Sequence, residues 1–354
     1  MSKPLDTLWY THSPVPTGLG IAVQSGRLAQ AFLPFGTNIQ SLRESSEREV
    51  REAHYDHHLK NSVRHGGNIP AIWAYASGVQ TRVLGLSWSD EVQLILTTAE
   101  SGVKSIRDLK NRRFGIPKWA NVQIDFTRAQ ALRGLENALK LEGLQVGDVE
   151  LVNYRYDGTF SDRPVRNVAG TPVSSTQSEG RNLELAGLLR GEVDAIFLKG
   201  ASAVQLAHAF ALRTVIDTGS HPDPLIRSNN GTPRTLAVDS HLLEQHPQVV
   251  RTLLGSVLRA EHWAHQHPDE TRRYLARETN SSEYWVQVAY GADAHLRLST
   301  RLDEQSIDAL QDFVEFLRRW RFIPARFEVR DWIARHPLDQ LLAPIPMDRK
   351  PATP

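Results

Sequence analysis

Three segments carry residue types suited to holding or attacking a small anion. The first is Thr11-His12-Ser13-Pro14-Val15-Pro16-Thr17. It follows a run of aromatic and β-branched residues and precedes a helical pattern. A strand end feeding a helix start is where open α/β sheets bind ligands, and the backbone N–H groups of such a start favour an anion. Ser13 projects there as a hydrogen-bond donor or, with a base beside it, as a nucleophile. The same residues also read as a Ser-Pro turn with Thr17 capping a helix.

The second segment joins Ala53-His54-Tyr55-Asp56-His57-His58 to Arg64-His65-Gly66-Gly67-Asn68-Ile69-Pro70. Arg64 offers a planar fork of donors that matches a sulfonate, sulfinate or carboxylate. Gly66 and Gly67 let bare backbone approach a ligand and present N–H groups to an oxyanion; a plain Gly-rich turn is the other reading. His54, His57 and His58 invite a metal reading, yet no third inward ligand or HExxH spacing supports one, so no metal is expected.

In the third, Gly191-Glu192-Val193-Asp194-Ala195-Ile196 runs as a strand into Lys199-Gly200. Lys199 would meet a ligand from the opposite side of a cleft, or simply lie exposed. Asn229 and Asn230 are hinge, ligand or turn residues. Trp119 and Phe126 flank the start of a long helical pattern and would wall a pocket for an aromatic ligand.

The elements that must position these residues alternate. Strand patterns at 7–11, 35–42, 81–86 and 92–97 are separated by helical ones at 18–31, 48–62 and 69–76, which predicts a mostly parallel sheet. A second unit follows, with strands near 113–117, 149–152, 193–198 and 213–217 and a helix over 124–141. Residues 157–181, rich in Gly, Ser, Thr and Pro, form a long loop, and such loops are commonly functional. After the strand at 235–238 the chain is helical, at 247–265, 269–277, 281–291 and 303–320. The expected fold is α/β and type II periplasmic-binding-protein-like. It has two α/β lobes around an interdomain cleft and a helix-rich C-terminal segment packed on the first lobe. Residues 1–100 and 220–354 make lobe 1, and 101–219 make lobe 2.

Composition narrows the function. A chain of 354 residues, 40% of them hydrophobic, suits two cores. A formal net charge of +1 gives no basis for a nucleic-acid partner. Cysteine is absent, which excludes disulfides, thiolate metal sites and a Cys nucleophile. No segment approaches the roughly 20 apolar residues that span a bilayer, so no membrane insertion is expected. The N-terminal residues have no apolar signal core or cleavage site, so a cytoplasmic location is expected, or a periplasmic one had a signal been removed.

Ser13-Pro14-Val15-Pro16, His54 and Arg64-His65-Gly66-Gly67-Asn68-Ile69-Pro70 together resemble the 2-(2-hydroxyphenyl)benzenesulfinate desulfinase family. That family lies within the sulfonate/nitrate-type periplasmic binding proteins. The likeness runs along the whole chain, through Gly191–Ala195 to Tyr290-Gly291-Ala292-Asp293, Arg297-Leu298 and Arg301-Leu302-Asp303. It implies cleavage of a sulfinate carbon–sulfur bond, releasing sulfite, without a cofactor. The family's roles fall on Ser13, His54 and Arg64, with Gly66 and Gly67 as oxyanion donors. The departure is at Ser13, where the family carries a catalytic Cys. Three readings stay open: an engineered replacement in an active desulfinase, a natural Ser variant, or a binding protein that only holds the anion. The last would serve an ABC permease if exported, as a receptor for sulfonates or related anions.

Overall fold

The computed structural model describes residues 5–161, 167–168, 171–172 and 182–343. Two sheets organise the chain. The first contains β1 (Thr7–His12), β2 (Asn38–Ser41), β3 (Ser62–Gly66) and β4 (Thr81–Ser87). The second contains β5 (Gln93–Thr97), β6 (Arg113–Trp119), β7 (Glu150–Tyr156), β8 (Ala195–Lys199) and β9 (Arg213–Asp217). The chain then returns to the first sheet with β10 (Arg234–Asp239) and the short β11 (Thr300–Arg301). Strand orders are β11-β4-β10-β3-β1-β2 and β9-β5-β8-β6-β7. The fold is the expected two-lobed α/β arrangement.

Both sheets are mixed, which corrects the expectation of mostly parallel pairing. β1 runs parallel to β2 and β3, but β10 is antiparallel to β3 and β4. In the second sheet β5 is antiparallel to β8 and β9, while β6 is parallel to β7 and β8. The antiparallel strands are the ones through which the chain crosses between lobes. Residues 93–97 stand in the second sheet, so the first crossover falls at 88–92 rather than at residue 100. The return crossover occupies 218–233.

Helices cover the sheets. α1 (Gly18–Gln24) and α2 (Arg27–Phe32) replace the single expected helix, because Gly26 adopts φ 72° and breaks it. α3 (Arg48–Asp56) and α4 (Asn68–Ala76) flank β3. α5 (Phe126–Leu141), α6 (Leu183–Leu189) and α7 (Gly200–Ala209) belong to the second lobe. α8 (Pro247–Gln266), α9 (Pro268–Glu278), α10 (Glu283–Tyr290) and α11 (Glu304–Arg319) form the C-terminal segment.

α8 buries Val250, Leu253, Leu254 and Val257 in one core with Leu19, Ile21 and Ala22 of α1, as the expectation of packing on lobe 1 required. α11 also reaches lobe 2, where Asp312 pairs with Arg133 and Trp320, just past its end, donates to Glu136 at 2.7 Å. Among the described residues no helix is long and apolar enough to cross a membrane.

Candidate active site

The register of β1 against β3 builds the site. Thr11 lies beside Arg64 and His12 beside His65, and the Ser13 N–H continues the ladder to the His65 carbonyl at 3.1 Å. Ser13 therefore leaves the end of β1 directly over Gly66 and Gly67. A Cβ on Gly66 would stand 2.1 Å from Ser13 Oγ, so only glycine admits the serine there. The sequence reading missed β3 altogether. All five of its residues are buried, Arg64 and His65 included, so it shows no alternation of apolar and polar residues.

Ser13 Oγ accepts two hydrogen bonds, from Arg64 Nη2 and from the Gly67 N–H, each at 3.3 Å. Among the described residues its own hydrogen has no acceptor. Arg64 is 4% exposed, and its Nε and Nη1 donate to the carbonyls of His54 (2.9 Å) and Gly67 (2.6 Å). Burial lowers its pKa to about 10, so it stays a cation at neutral pH. Among the described residues three of its five N–H donors are thus committed.

His54 is buried, and its Nδ1 pairs with Thr11 Oγ1 at 2.6 Å. Burial first, then the positive fields of Arg64 and Arg43, hold its pKa well below the ordinary histidine value, so the ring is neutral. Among the described residues His54 forms no hydrogen bond to Ser13. Of the three residues expected to converge, Arg64 touches Ser13, whereas the His54 ring turns to Thr11 and only the His54 carbonyl meets Arg64.

The remaining candidates divide. Gly67 donates as expected, while Gly66 contributes space. Asn230 belongs to the return crossover and occupies the start of α4: its carbonyl accepts from the Asn68 N–H at 2.8 Å and its Oδ1 from the Ile69 N–H at 3.0 Å. Its amide also reaches Gln130 of lobe 2 at 3.3 Å. Lys199 is committed to the buried Glu91 at 2.5 Å, on the crossover, and is an interlobe ion pair.

Trp119 and Phe126 enter an aromatic cluster with Tyr55 and Phe160. Phe160 lies 4.4 Å from Trp119 and 4.6 Å from Phe126, and Tyr55 5.3 Å from Phe160, between ring centroids. Tyr55 comes from lobe 1 and the other three from lobe 2, so the cluster spans the cleft. Beside it opens a groove of about 350 Å³ lined by Glu52, Tyr55, Asp56, Gln123, Phe160 and neighbours. Sequence reasoning missed Thr11, Tyr55 and Phe160. All three lay within flagged segments, but only the fold gives them their partners. Among the described residues no group of three His, Asp or Glu is arranged to hold a metal ion.

A two-lobed α/β body of two mixed sheets defines the class of periplasmic-binding-protein-like folds. The alkanesulfonate-binding protein SsuA of Xanthomonas axonopodis pv. citri, solved bound to MOPS, superposes with TM-score 0.65 at 17% identity, over 94% of this chain and all of that one. Within that class the chain is desulfinase-like. It is 26% identical over 358 residues to the 2'-hydroxybiphenyl-2-sulfinate desulfinases of Rhodococcus erythropolis and Rhodococcus qingshengii, across 93% of this chain and 92% of theirs. The crystal structure of the desulfurization enzyme DszB matches with TM-score 0.71 at 26% identity, over 95% and 99% of the two chains. A cysteine-to-serine mutant of DszB in complex with biphenyl-2-sulfinic acid matches with TM-score 0.75 at 24% identity, with the same coverage. No family model matches the chain.

Proposed function

We propose that this protein binds an organic sulfinate in the cleft between its lobes, and that Ser13 limits it to holding the anion rather than cleaving the carbon–sulfur bond. The observation that carries this is the surroundings of Ser13 Oγ: two donors, Arg64 and the Gly67 amide, and, among the described residues, no base hydrogen-bonded to it. Such a pair stabilises negative charge on the atom it faces. On a cysteine it would favour the thiolate, the reactive form. A serine hydroxyl stays protonated at neutral pH without a base and is a weak nucleophile. It becomes one more donor, aimed with the Arg64 guanidinium at a sulfinate oxygen. The aromatic cluster gives an aryl group a face to stack on.

The test is calorimetric titration with biphenyl-2-sulfinate, together with a sulfite assay on the native chain and on Ser13→Cys. Binding by both and sulfite from Ser13→Cys alone is the expected result. No binding of any sulfinate or sulfonate by the native chain would overturn the reading.

The likeness to SsuA supports a second reading, a receptor that delivers sulfonates to an ABC permease. Tighter binding of alkanesulfonates than of aryl sulfinates, with Ser13→Cys still inert, favours that reading.

A further inference from the structure

Helix α3 presents two faces to two different tasks. His54 turns toward the first sheet and Thr11. Residues 51, 52, 55 and 56 fall within an arc of about 140° at 100° per residue, and all four reach the second lobe. Arg51 Nε donates to the Ser161 carbonyl at 3.0 Å, and the Ser161 hydroxyl donates to Glu52 at 3.2 Å. The Tyr55 hydroxyl donates to the Phe160 carbonyl at 3.4 Å, and Gln123 donates to Asp56 at 3.3 Å.

Arg51 differs from the other three. It is 7% exposed and has no carboxylate partner among the described residues. Its Nη1 is held instead by the carbonyls of Ser45 (2.9 Å) and Ser46 (2.8 Å) in its own lobe. A buried cation is costly unless oriented dipoles replace its water. Two of those dipoles are fixed within lobe 1; the third belongs to lobe 2 and is present only while the lobes are together. A planar guanidinium also fixes the direction of each bond, which an ammonium does not.

We propose that Arg51 is a positioning residue that latches the second lobe onto α3, and thereby sets how long an anion stays at Ser13 and Arg64. The proposal rests on the anion-site reading above for its ligand, but the latch itself is a property of the two lobes. Arg51 touches neither Ser13 nor Arg64. Its effect falls on release, since an anion leaves only when the lobes part, while capture by an open cleft does not involve it.

The chain has no cysteine, so a single introduced pair can be labelled without background. Lys60 and Lys118 are exposed, one in each lobe. Spin labels on Lys60→Cys and Lys118→Cys report the interlobe distance in the full chain, and stopped-flow mixing with biphenyl-2-sulfinate reports rates. Arg51→Met is expected to lengthen and broaden the distance distribution. It should also raise the probe's off-rate by about tenfold while leaving its on-rate within about twofold, since affinity differences among related complexes sit mostly in dissociation.

Arg51→Lys separates the latch from a merely structural role. Its ammonium can keep the Ser45 and Ser46 carbonyls but lacks the Nε donor. It should melt near the native temperature and still show the longer distance and faster release. An Arg51→Lys chain with native distance and native off-rate would refute the latch. Should the native chain fail to bind the probe, the anion-site reading falls and the distance measurement alone decides the latch.

Discussion

At the scale of single residues, the site is a matter of clearance as much as charge. Ser13 reaches Arg64 and the Gly67 amide because Gly66 leaves room beneath it. A methyl group there would meet Ser13 Oγ at 2.1 Å, Ser13 Cβ at 2.7 Å and the Ser13 N at 3.1 Å. Part of that obstacle is backbone, so a rotamer change cannot relieve it. Gly66→Ala is therefore expected to push the β1 end away from β3, costing about 1–3 kcal/mol as overpacking does. Sulfinate affinity should fall by more than the loss in stability explains. Titration below the melting transition, paired with a thermal melt, checks this; native affinity in a folded Gly66→Ala chain would show that Ser13 does not need its present place. The residue types at this site were legible in the sequence, since Ser13, Arg64 and Gly67 do meet. Their division of labour was not. Whether a glycine supplies an N–H or only space, and whether an imidazole faces a serine or a threonine, depends on strand register, which residue type and spacing do not fix.

At the scale of elements, helices with a clear apolar stripe matched the sequence reading. α6 lies at 183–189 as expected, and α5, α8 and α11 fall within a few residues of their predicted spans. β3 failed that test because its polar residues are buried inside the fold, with Arg64 held by backbone carbonyls. The same physics places a lone carboxylate on α8. Glu261 is fully buried, accepts from the Thr300 N–H (2.9 Å) and hydroxyl (2.6 Å), and presses on Gly18 at the start of α1. It has no cationic partner among the described residues. Burial raises its pKa to about 7 from an ordinary 4.5. The folded chain thus holds a proton on it that the unfolded chain releases above 4.5. Its contribution is favourable at low pH and is lost as pH rises from 4.5 through 7, by roughly 3 kcal/mol at about 1.4 kcal/mol per unit. Glu261→Gln keeps the shape without the charge. In urea titrations it should gain on the native chain by up to that amount between pH 5 and pH 8; a gap that does not change with pH would mean that Glu261 stays ionised when buried.

At the scale of the whole molecule, two lobes act as one body only if their crossovers hold, and Glu91 stands where both pass. Its carboxylate lies 2.5 Å from Lys199 of lobe 2 and 3.8 Å from Arg234 of lobe 1. The return strand crowds it: a Cβ on Gly219 would stand 1.9 Å from the Glu91 carbonyl, and one on Gly231 would stand 2.1 Å from Oε1. Lys199, expected at the ligand from its place at a strand end, is drawn here by a carboxylate more than 100 residues earlier, a pairing no local pattern announces. Arg234 has no exposed surface, and its Nε and Nη2 lack hydrogen-bond partners among the described residues. The carboxylate is therefore the nearest counter-charge for the buried Arg234 and the partly buried Lys199. Glu91→Gln keeps the volume and removes the charge, so it should destabilise by about 3–5 kcal/mol, the range for breaking a buried pair from one side. Lys199→Met alone should cost less, because Arg234 still offsets Glu91. In the double variant one uncompensated cation is gone, so the combined loss should fall short of the sum by about 1–3 kcal/mol. Denaturant unfolding followed by tryptophan fluorescence gives all four corners of that cycle. Strictly additive losses would mean that Glu91 and Lys199 do not act as a pair.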